Sequence, residues 1–192
     1  MRRSRAPQGS DNQRWIAFQR AVNVGGRKYP MAELRAVLSE AGYRDVETHI
    51  QTGNIALTAD VTAAQLAADL EQLFHADRGF EVATIVFSPE ELVAIAAETD
   101  RVIAEHGEPA HGHYVELMRA EPTAENRAII EGQCTDQQRF VVRGRTVHYL
   151  TDISMADVKA PRAAVRAAYG ISTNRNAKVI RALAAKWGPS PD

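Results

Sequence analysis

The segment from Arg14 to Arg35 reads RWIAFQRAVNVGGRKYPMAELR, and its changes of pattern decide how the fold begins. The residues from Trp15 to Arg20 form a short, mainly apolar run of the kind found in strands. A polar loop with two adjacent glycines follows. Apolar residues then recur at spacings of three and four, at Met31, Leu34 and Leu38, which is typical of an amphipathic helix. The segment therefore predicts a strand, a glycine-containing loop and a helix.

The rest of the first half continues this alternation. Residues 46–51 and 55–58 have the composition of strands, and Thr52-Gly53-Asn54 between them is typical of a hairpin turn. Thr62 and Gln65 form a possible capping box for a helix. Residues 81–87 then supply a fourth strand. The order β-α-β-β-α-β is that of a ferredoxin-like unit.

The second half repeats the order after a helix that begins with a capping box at Ser88. Strands are predicted at 113–118, 139–142 and 146–151, and helices at 123–131 and from Ser154 to about Gly170. Residues 171–172 could form a short last strand, and a closing helix runs from about 174 to 187. The sequence thus predicts an α+β chain of two tandem ferredoxin-like (α/β-plait, βαββαβ) units. Its parts are a disordered arm (1–13), unit 1 (14–88), a connecting helix and loop (89–112), and unit 2 with a C-terminal helix (113–192).

Composition limits the possible environments of the chain. With 45% hydrophobic and 24% charged residues, the sequence is ordinary for a globular protein. Cys134 is the only cysteine, so no intramolecular disulfide can form, which suits a reducing cytoplasm. No apolar run reaches the roughly 18 residues of a membrane span, and no apolar segment of a signal peptide follows the N-terminal arginines. We therefore expect a cytoplasmic protein without a membrane partner.

Charge is unevenly distributed, although the net charge is only -1. Residues 89–131 contain ten acidic and three basic side chains. The C-terminal region is basic instead, which indicates either an anionic partner, an intramolecular match to the acidic region, or a solvated helix face. The candidate basic patch consists of Lys159, Arg162, Arg166, Arg175, Lys178 and Arg181.

Two motifs resemble those of a bacterial family catalogued as domain of unknown function 1697. Members have a strand followed by Arg-Gly-Ile-Asn-Val-Gly-Gly and a Pro-Met-Ala-x-Leu-Arg helix, and this chain has RAVNVGG at 20–26 and PMAELR at 30–35. Members then have Tyr-Ile-Gln-Ser-Gly-Asn, where this chain has HIQTGN at 49–54. The resemblance covers about residues 14–187. It implies tandem ferredoxin-like units and brings no biochemical activity with it.

The sequence departs from the family pattern at several positions. Ala21 replaces a glycine of the first motif. Members have a Ser-Lys pair before a C-terminal helix, where this chain has Val158 and Lys159. They continue with Thr-x-Arg-Asn-Trp, whereas Arg175-Asn176 is followed here by Ala177. Any function that depends on the missing serine or tryptophan is not supported in this chain.

Topology brings the two motifs to the same end of unit 1. The loop after the first strand and the hairpin between the second and third strands should meet there, with backbone N–H groups that favour an anion. Arginine and lysine side chains of the loop would add charge-assisted hydrogen bonds. We therefore expect a small anion or nucleotide to bind a pocket formed by Arg20, Asn23, Gly25, Gly26, Arg27, Lys28, Gln51, Thr52, Gly53 and Asn54.

Other interpretations of these residues remain open. The glycines and asparagines could simply form tight turns, with Gln51 and Asn54 capping backbone groups. The basic C-terminal helices could bind nucleic acid or a protein. His49 is a candidate proton-transfer group, although no nucleophile accompanies it. His106, His111 and His113 lack the spacing of a metal site, so we expect neither a metal nor a cofactor. A homo-oligomer is possible because ferredoxin-like sheets leave edges to cover.

Overall fold

The computed structural model describes residues 13–23, 26 and 28–189, which form an α+β fold with eight strands and six helices. In chain order the elements are β1 (Gln13–Gln19), α1 (Met31–Glu40), β2 (Arg44–His49), β3 (Asn54–Ala59), α2 (Ala63–Arg78), β4 (Thr84–Phe87), α3 (Pro89–His106), β5 (Gly112–Met118), α4 (Ala124–Glu131), β6 (Gln138–Arg143), β7 (Thr146–Thr151), α5 (Ala163–Ala168), β8 (Ser172–Asn176) and α6 (Ala177–Trp187). Among the described residues, none of these helices is long and apolar enough to cross a lipid bilayer.

The first sheet is antiparallel and has the strand order β2-β3-β1-β4. In the central strand β1, Ile16 lies opposite Ala56 of β3 and Phe87 of β4. Trp15 and Ala17 point to the other face, because successive side chains of a strand alternate. That face is covered by the apolar sides of α1 and α2, which contribute Leu34, Leu38, Leu66, Leu70 and Phe74 to its core.

The second sheet repeats this arrangement with the strand order β6-β7-β5-β8. Helices α4 and α5 lie on one face, where Ile130 and Ala168 pack with Met118, Val142 and Val147. Both helices are short, at eight and six residues, so they cover only part of that face. The uncovered part of this face forms a cavity.

A common apolar core joins the two sheets. It contains Ile16, Phe18 and Phe87 from the first sheet together with Val115 and Leu117 from the second. Helices α3 and α6 pack against each other and complete this core with Leu92, Ile95, Ile180, Leu183 and Trp187. The capping box at Ser88 forms as its sequence predicts, since Ser88 Oγ accepts from Glu91 N and the Glu91 carboxylate accepts from Ser88 N.

Arginines next to the strands of the second sheet also reach across to the first. The Arg119 guanidinium donates to the Glu71 carboxylate and to the Thr84 backbone oxygen. Arg145 donates to the Val86 backbone oxygen at 3.3 Å and stacks over the Phe87 ring at 4.1 Å. Because these contacts end on backbone oxygens of β4, they fix the two sheets relative to each other.

Several predicted boundaries are corrected by the structure. Instead of a helix from Ser154 to Gly170, only α5 is helical, because Pro161 disfavours a helical conformation at the residue before it. The predicted strand at 171–172 extends to Asn176, since β8 pairs with β5 from Ser172 to Asn176. The closing helix therefore begins at Ala177, three residues later than predicted, and is capped by the Asn176 side chain. The predicted arm at 1–13 lies outside the described residues except for Gln13, which begins β1.

Candidate functional site

A cleft lies where the end of the first sheet meets strand β8 of the second. Its volume is about 390 Å³, within the lower part of the usual range for small-molecule sites. The first sheet contributes the residues after β1 and the β2–β3 hairpin, and the second contributes parts of β5 and β8. The lining residues are Gln19, Arg20, Ala21, Val22, Asn23, Gln51, Thr52, Glu116, Ser172, Thr173, Asn174 and Arg175.

Asn23 holds the loop after β1 against the hairpin. Its side-chain oxygen accepts from Tyr29 N at 2.6 Å, while its Nδ2 donates to Tyr29 O at 3.2 Å and to Gln51 O at 2.7 Å. The structure thus brings together the two loops whose meeting the topology predicts. The Asn23 amide is fully occupied by these contacts, so it shapes the cleft and has no free donor for a ligand.

The hairpin has an unusual backbone at both of its ends. Ile50 is 46% exposed and has a φ of 50°, a left-handed conformation that is rare for a β-branched residue. Gly53 has a φ of 73° and lies directly against Gln19, whose backbone N donates to Gly53 O at 2.8 Å. A Cβ atom at Gly53 would lie only 2.7 Å from Gln19 Cβ. The glycine is therefore required both by its conformation and by the close approach of β1.

Arg175 connects strand β8 to this hairpin and is the most informative residue of the cleft. Its side chain is 7% exposed, and its Nε donates to Asn54 Oδ1 at 2.6 Å. The remaining guanidinium N–H groups donate to Thr173 Oγ1 and to the backbone oxygens of Asn174, Gln19 and Thr52, at 2.7–2.9 Å. All these acceptors are neutral, and among the described residues Arg175 forms no ion pair with a carboxylate.

Burial changes the electrostatics of this guanidinium. Desolvation lowers the pKa of Arg175 from 12.5 to about 10, and the nearby Glu116 carboxylate acts in the opposite direction. At neutral pH the group stays protonated, so it places a positive charge where little water reaches it. A charge of this kind attracts an anion more strongly than an exposed one does, because less water screens it.

Two more charged side chains line the cleft. Arg20 is exposed and, within the described part of the chain, forms no ion pair, so its guanidinium is free to contact a ligand. Glu116 is half-buried and accepts from Asn174 Nδ2 at 3.1 Å. Arg20 and Arg175 are positive and Glu116 is negative, so the described charged residues lining the cleft carry one net positive charge.

Of the other predicted pocket residues, some line the cleft and others do not. Gln51 and Thr52 are exposed and line the cleft. Asn54 is fully buried and holds the hairpin, since its Nδ2 donates to His49 O and Thr52 Oγ1 at 3.0 Å. Gly26 and Lys28 are exposed but do not line the cleft. The predictions for Gly25 and Arg27 fall outside the described residues.

The predicted basic patch does not form a single surface. Arg175 was expected on an exposed basic helix, and this is corrected, because it lies in β8 with its guanidinium buried. Arg181 Nη2 forms an ion pair with Asp100 of α3 at 2.7 Å, so part of the charge asymmetry is an intramolecular match. The remaining members of the patch are exposed side chains, namely Lys159, Arg162, Arg166 and Lys178.

The histidine and cysteine side chains that the structure describes do not line the cleft. His113 and His148 are buried side by side on neighbouring strands, with Nε2 and Nδ1 3.0 Å apart. Cys134 is exposed and its sulfur accepts from Phe140 N at 3.2 Å. His49, the candidate proton-transfer group, packs edge-on against the Trp187 ring. No group of three or more His, Cys, Asp or Glu side chains among the described residues is arranged to hold a metal ion.

These features define a class of protein with two four-stranded antiparallel sheets, six helices among its described residues, and a polar cleft where the sheets meet. The chain belongs to the family described as protein of unknown function (DUF1697), whose model matches residues 13–148. The predicted family membership is therefore confirmed.

A solved structure extends the comparison to the whole fold. The conserved bacterial protein SP0830 from Streptococcus pneumoniae is similar to this chain with a TM-score of 0.72 and 24% sequence identity. The match covers 92% of this chain and 98% of the other. At this identity the likeness concerns the fold alone. A search of curated proteins gave no significant match.

Proposed function

We propose that this protein binds a small molecule with an anionic group, such as a phosphate, a carboxylate or a nucleotide, in the cleft beside Arg20 and Arg175. The observation that carries the proposal is the buried Arg175 guanidinium, which is surrounded by neutral acceptors. Burying a charge that forms no ion pair is costly, and an anion in the cleft would reduce that cost.

The two arginines have different roles in this proposal. All the N–H groups of Arg175 are already used within the protein, so it supplies positive potential and no direct contact. Arg20 is exposed and supplies the charge-assisted hydrogen bond to the ligand. Gln51, Thr52 and Asn174 are exposed polar residues of the same cleft and would bind the remaining polar atoms.

The proposed site lies where two structural units meet. We propose that residues 14–88 and 113–192 are duplicated ferredoxin-like units, with residues 89–112 between them and the C-terminal helix belonging to the second. The strand orders β2-β3-β1-β4 and β6-β7-β5-β8 are the same when the second set is renumbered from its first strand, which supports a duplication. The cleft then lies between different parts of two related units, the hairpin end of the first and strands β5 and β8 of the second.

A thermal-shift measurement tests the proposed binding. Inorganic phosphate, ribose 5-phosphate and citrate are added at matched ionic strength to the unchanged protein and to the Arg20→Met variant. Arg162→Met serves as the matched control, because Arg162 is exposed and lines no part of the cleft. An anion at about 100 times its dissociation constant adds roughly 2.7 kcal/mol to the free energy of unfolding.

We expect at least one anion to raise the midpoint of the unchanged protein and of Arg162→Met, and to raise that of Arg20→Met much less. A hydrogen bond to a charged group contributes about 1.5–3 kcal/mol, which corresponds to roughly a 10- to 150-fold loss of affinity in Arg20→Met. Equal midpoint shifts in all three proteins would contradict the proposal, because they would indicate a general salt effect.

The alternative, binding of nucleic acid or another protein through the basic C-terminal region, predicts a different pattern. Binding would then depend on Arg162 and Lys178, and short DNA or RNA oligomers would lose affinity steeply as salt increases. The burial of Arg175 and the pairing of Arg181 remove two of the charges on which that alternative was based. The expected homo-oligomer stays a prediction.

A further inference from the structure

A second cavity adjoins the cleft on the face of the second sheet that α4 and α5 leave partly open. Its volume is about 330 Å³. It shares Arg20, Glu116, Ser172 and Asn174 with the cleft, so the two spaces meet at these residues. A ligand held by Arg20 would therefore have direct access to both.

The floor of this cavity is aromatic. The Phe140 and Tyr149 rings come from the neighbouring strands β6 and β7, with centroids 4.7 Å apart and planes 17° from parallel. The Tyr149 hydroxyl accepts from Gln138 Nε2 at 2.8 Å, which fixes the orientation of that ring. Tyr114 also stacks on Tyr149, so the more exposed Phe140 ring is the one that can extend the stack to a planar ring of a ligand.

The remaining walls combine apolar surface with positive charge. Met155, Val158 and Pro161 lie in the segment between β7 and α5. Lys159 comes from the same segment, and Arg166 of α5 donates to Pro161 O at 2.6 Å. With Arg20, the described lining residues include three cationic side chains and one carboxylate, Glu116. A neutral or cationic aromatic group would not be attracted by this positive charge.

From these contacts we infer that the ligand carries a planar aromatic or heteroaromatic ring, which stacks against Phe140 while its anionic group lies at Arg20. The inference rests on the proposed anion binding and adds the chemical class of the ligand to it. Ring and anion together describe a mononucleotide or an aromatic phosphate of similar size, since a volume of about 330 Å³ is at the lower limit of ordinary ligand sites.

Calorimetric titration with matched probes separates the two parts of this ligand. Adenosine, guanosine, cytidine and uridine 5′-monophosphates carry both ring and phosphate, whereas ribose 5-phosphate carries the phosphate alone. Stacking of a base on an aromatic side chain increases affinity about tenfold or more. We expect at least one nucleotide to bind about tenfold more tightly than ribose 5-phosphate.

Three variants locate the ring. Phe140→Leu removes the stacking surface, and Val158→Trp fills the cavity from its rim without altering the sheet. Both should reduce the affinity for the nucleotide to that for ribose 5-phosphate. Tyr114→Leu is the matched control, because Tyr114 stacks on Tyr149 but does not line the cavity. Urea unfolding of each variant identifies any that fails to fold. If Phe140→Leu fails to fold, Val158→Trp alone tests where the ring binds.

The outcomes distinguish this inference from the function on which it rests. If nucleotides and ribose 5-phosphate bind equally and both lose affinity in Arg20→Met, anion binding stands and the aromatic site is refuted. A nucleotide preference that persists in Val158→Trp refutes it as well, because the ring then lies elsewhere. If no probe binds, both fail. A preference abolished by Val158→Trp and retained in Tyr114→Leu supports the aromatic site.

Discussion

Replacing Gly53 by alanine tests the geometry on which the cleft depends. The added Cβ would lie 2.7 Å from both Gln19 Cβ and Gln19 Oε1, and 2.9 Å from Val22 Cγ1. Gln19 is fully buried and Val22 is 2% exposed, so neither can move into solvent. The backbone adds a second cost, because the φ of 73° at Gly53 disfavours any residue with a Cβ.

The two costs can be separated with Gly79. It has a φ of 72°, nearly that of Gly53, but a Cβ atom there would meet no atom within 4 Å. A left-handed conformation costs an alanine roughly 1–2 kcal/mol, and overpacking a filled site costs about 1–3 kcal/mol more. We therefore expect Gly79→Ala to lose roughly 1–2 kcal/mol and Gly53→Ala roughly 2–5 kcal/mol of unfolding free energy.

Urea unfolding followed by far-UV circular dichroism measures both variants under identical conditions. The slope of the unfolding free energy against urea should stay constant, so that the midpoint reports stability. For a chain of this length, each kcal/mol lowers the thermal midpoint by about 2–4 °C, which gives an independent check. If Gly53→Ala loses no more than Gly79→Ala, the close contact with Gln19 is absent and the described shape of the cleft is wrong.

Three further predictions concern backbone strain, buried histidines and the buried arginine. Ala21 has a φ of 53° where the family has glycine, so Ala21→Gly should raise the unfolding free energy measured in urea by roughly 1–2 kcal/mol, the reverse of Gly79→Ala. Burial lowers the pKa of His113 to about 4 and that of His148 to about 3, below the ordinary 6.5. Between pH 6.5 and about 4 the unfolded chain therefore binds protons at these histidines that the folded one does not. Stability should fall as the pH falls, by up to roughly 3 kcal/mol per pH unit, and Asn at both positions should make this fall much shallower. Arg175→Met leaves several buried acceptors unpaired and should cost at least about 3 kcal/mol, whereas Arg162→Met should change the urea midpoint little.

The first half of the chain was the more predictable from sequence because its signals are local. The capping residues Thr62 and Ser88 and the helical spacing of Leu34 and Leu38 each lie within one element, and the structure shows a helix at each of them. In the second half, β8 forms only by pairing with β5, more than 50 residues earlier in the chain. Its sequence, STNRN, has no apolar alternation that would indicate a strand.

The candidate site was predictable only in part for the same reason. Topology alone indicated that the loop containing Asn23 would meet the hairpin containing Gln51, and a hydrogen bond now joins them. The contribution of Arg175 was missed, because its partner Asn54 lies 121 residues away and a lone arginine between asparagines resembles an exposed residue. The signal that could have found it was the family segment Thr-x-Arg-Asn, present here at residues 173–176.

The most direct test of the proposed function is a two-dimensional NMR titration of the labelled protein with ribose 5-phosphate. We predict saturable shifts confined to backbone amides that line the cleft, at residues 19–23, 51–52 and 172–175, and their loss in Arg20→Met. Shifts that increase linearly with concentration, or that spread over the exposed side of the chain around Arg162 and Lys178, would contradict a built anion site in this cleft.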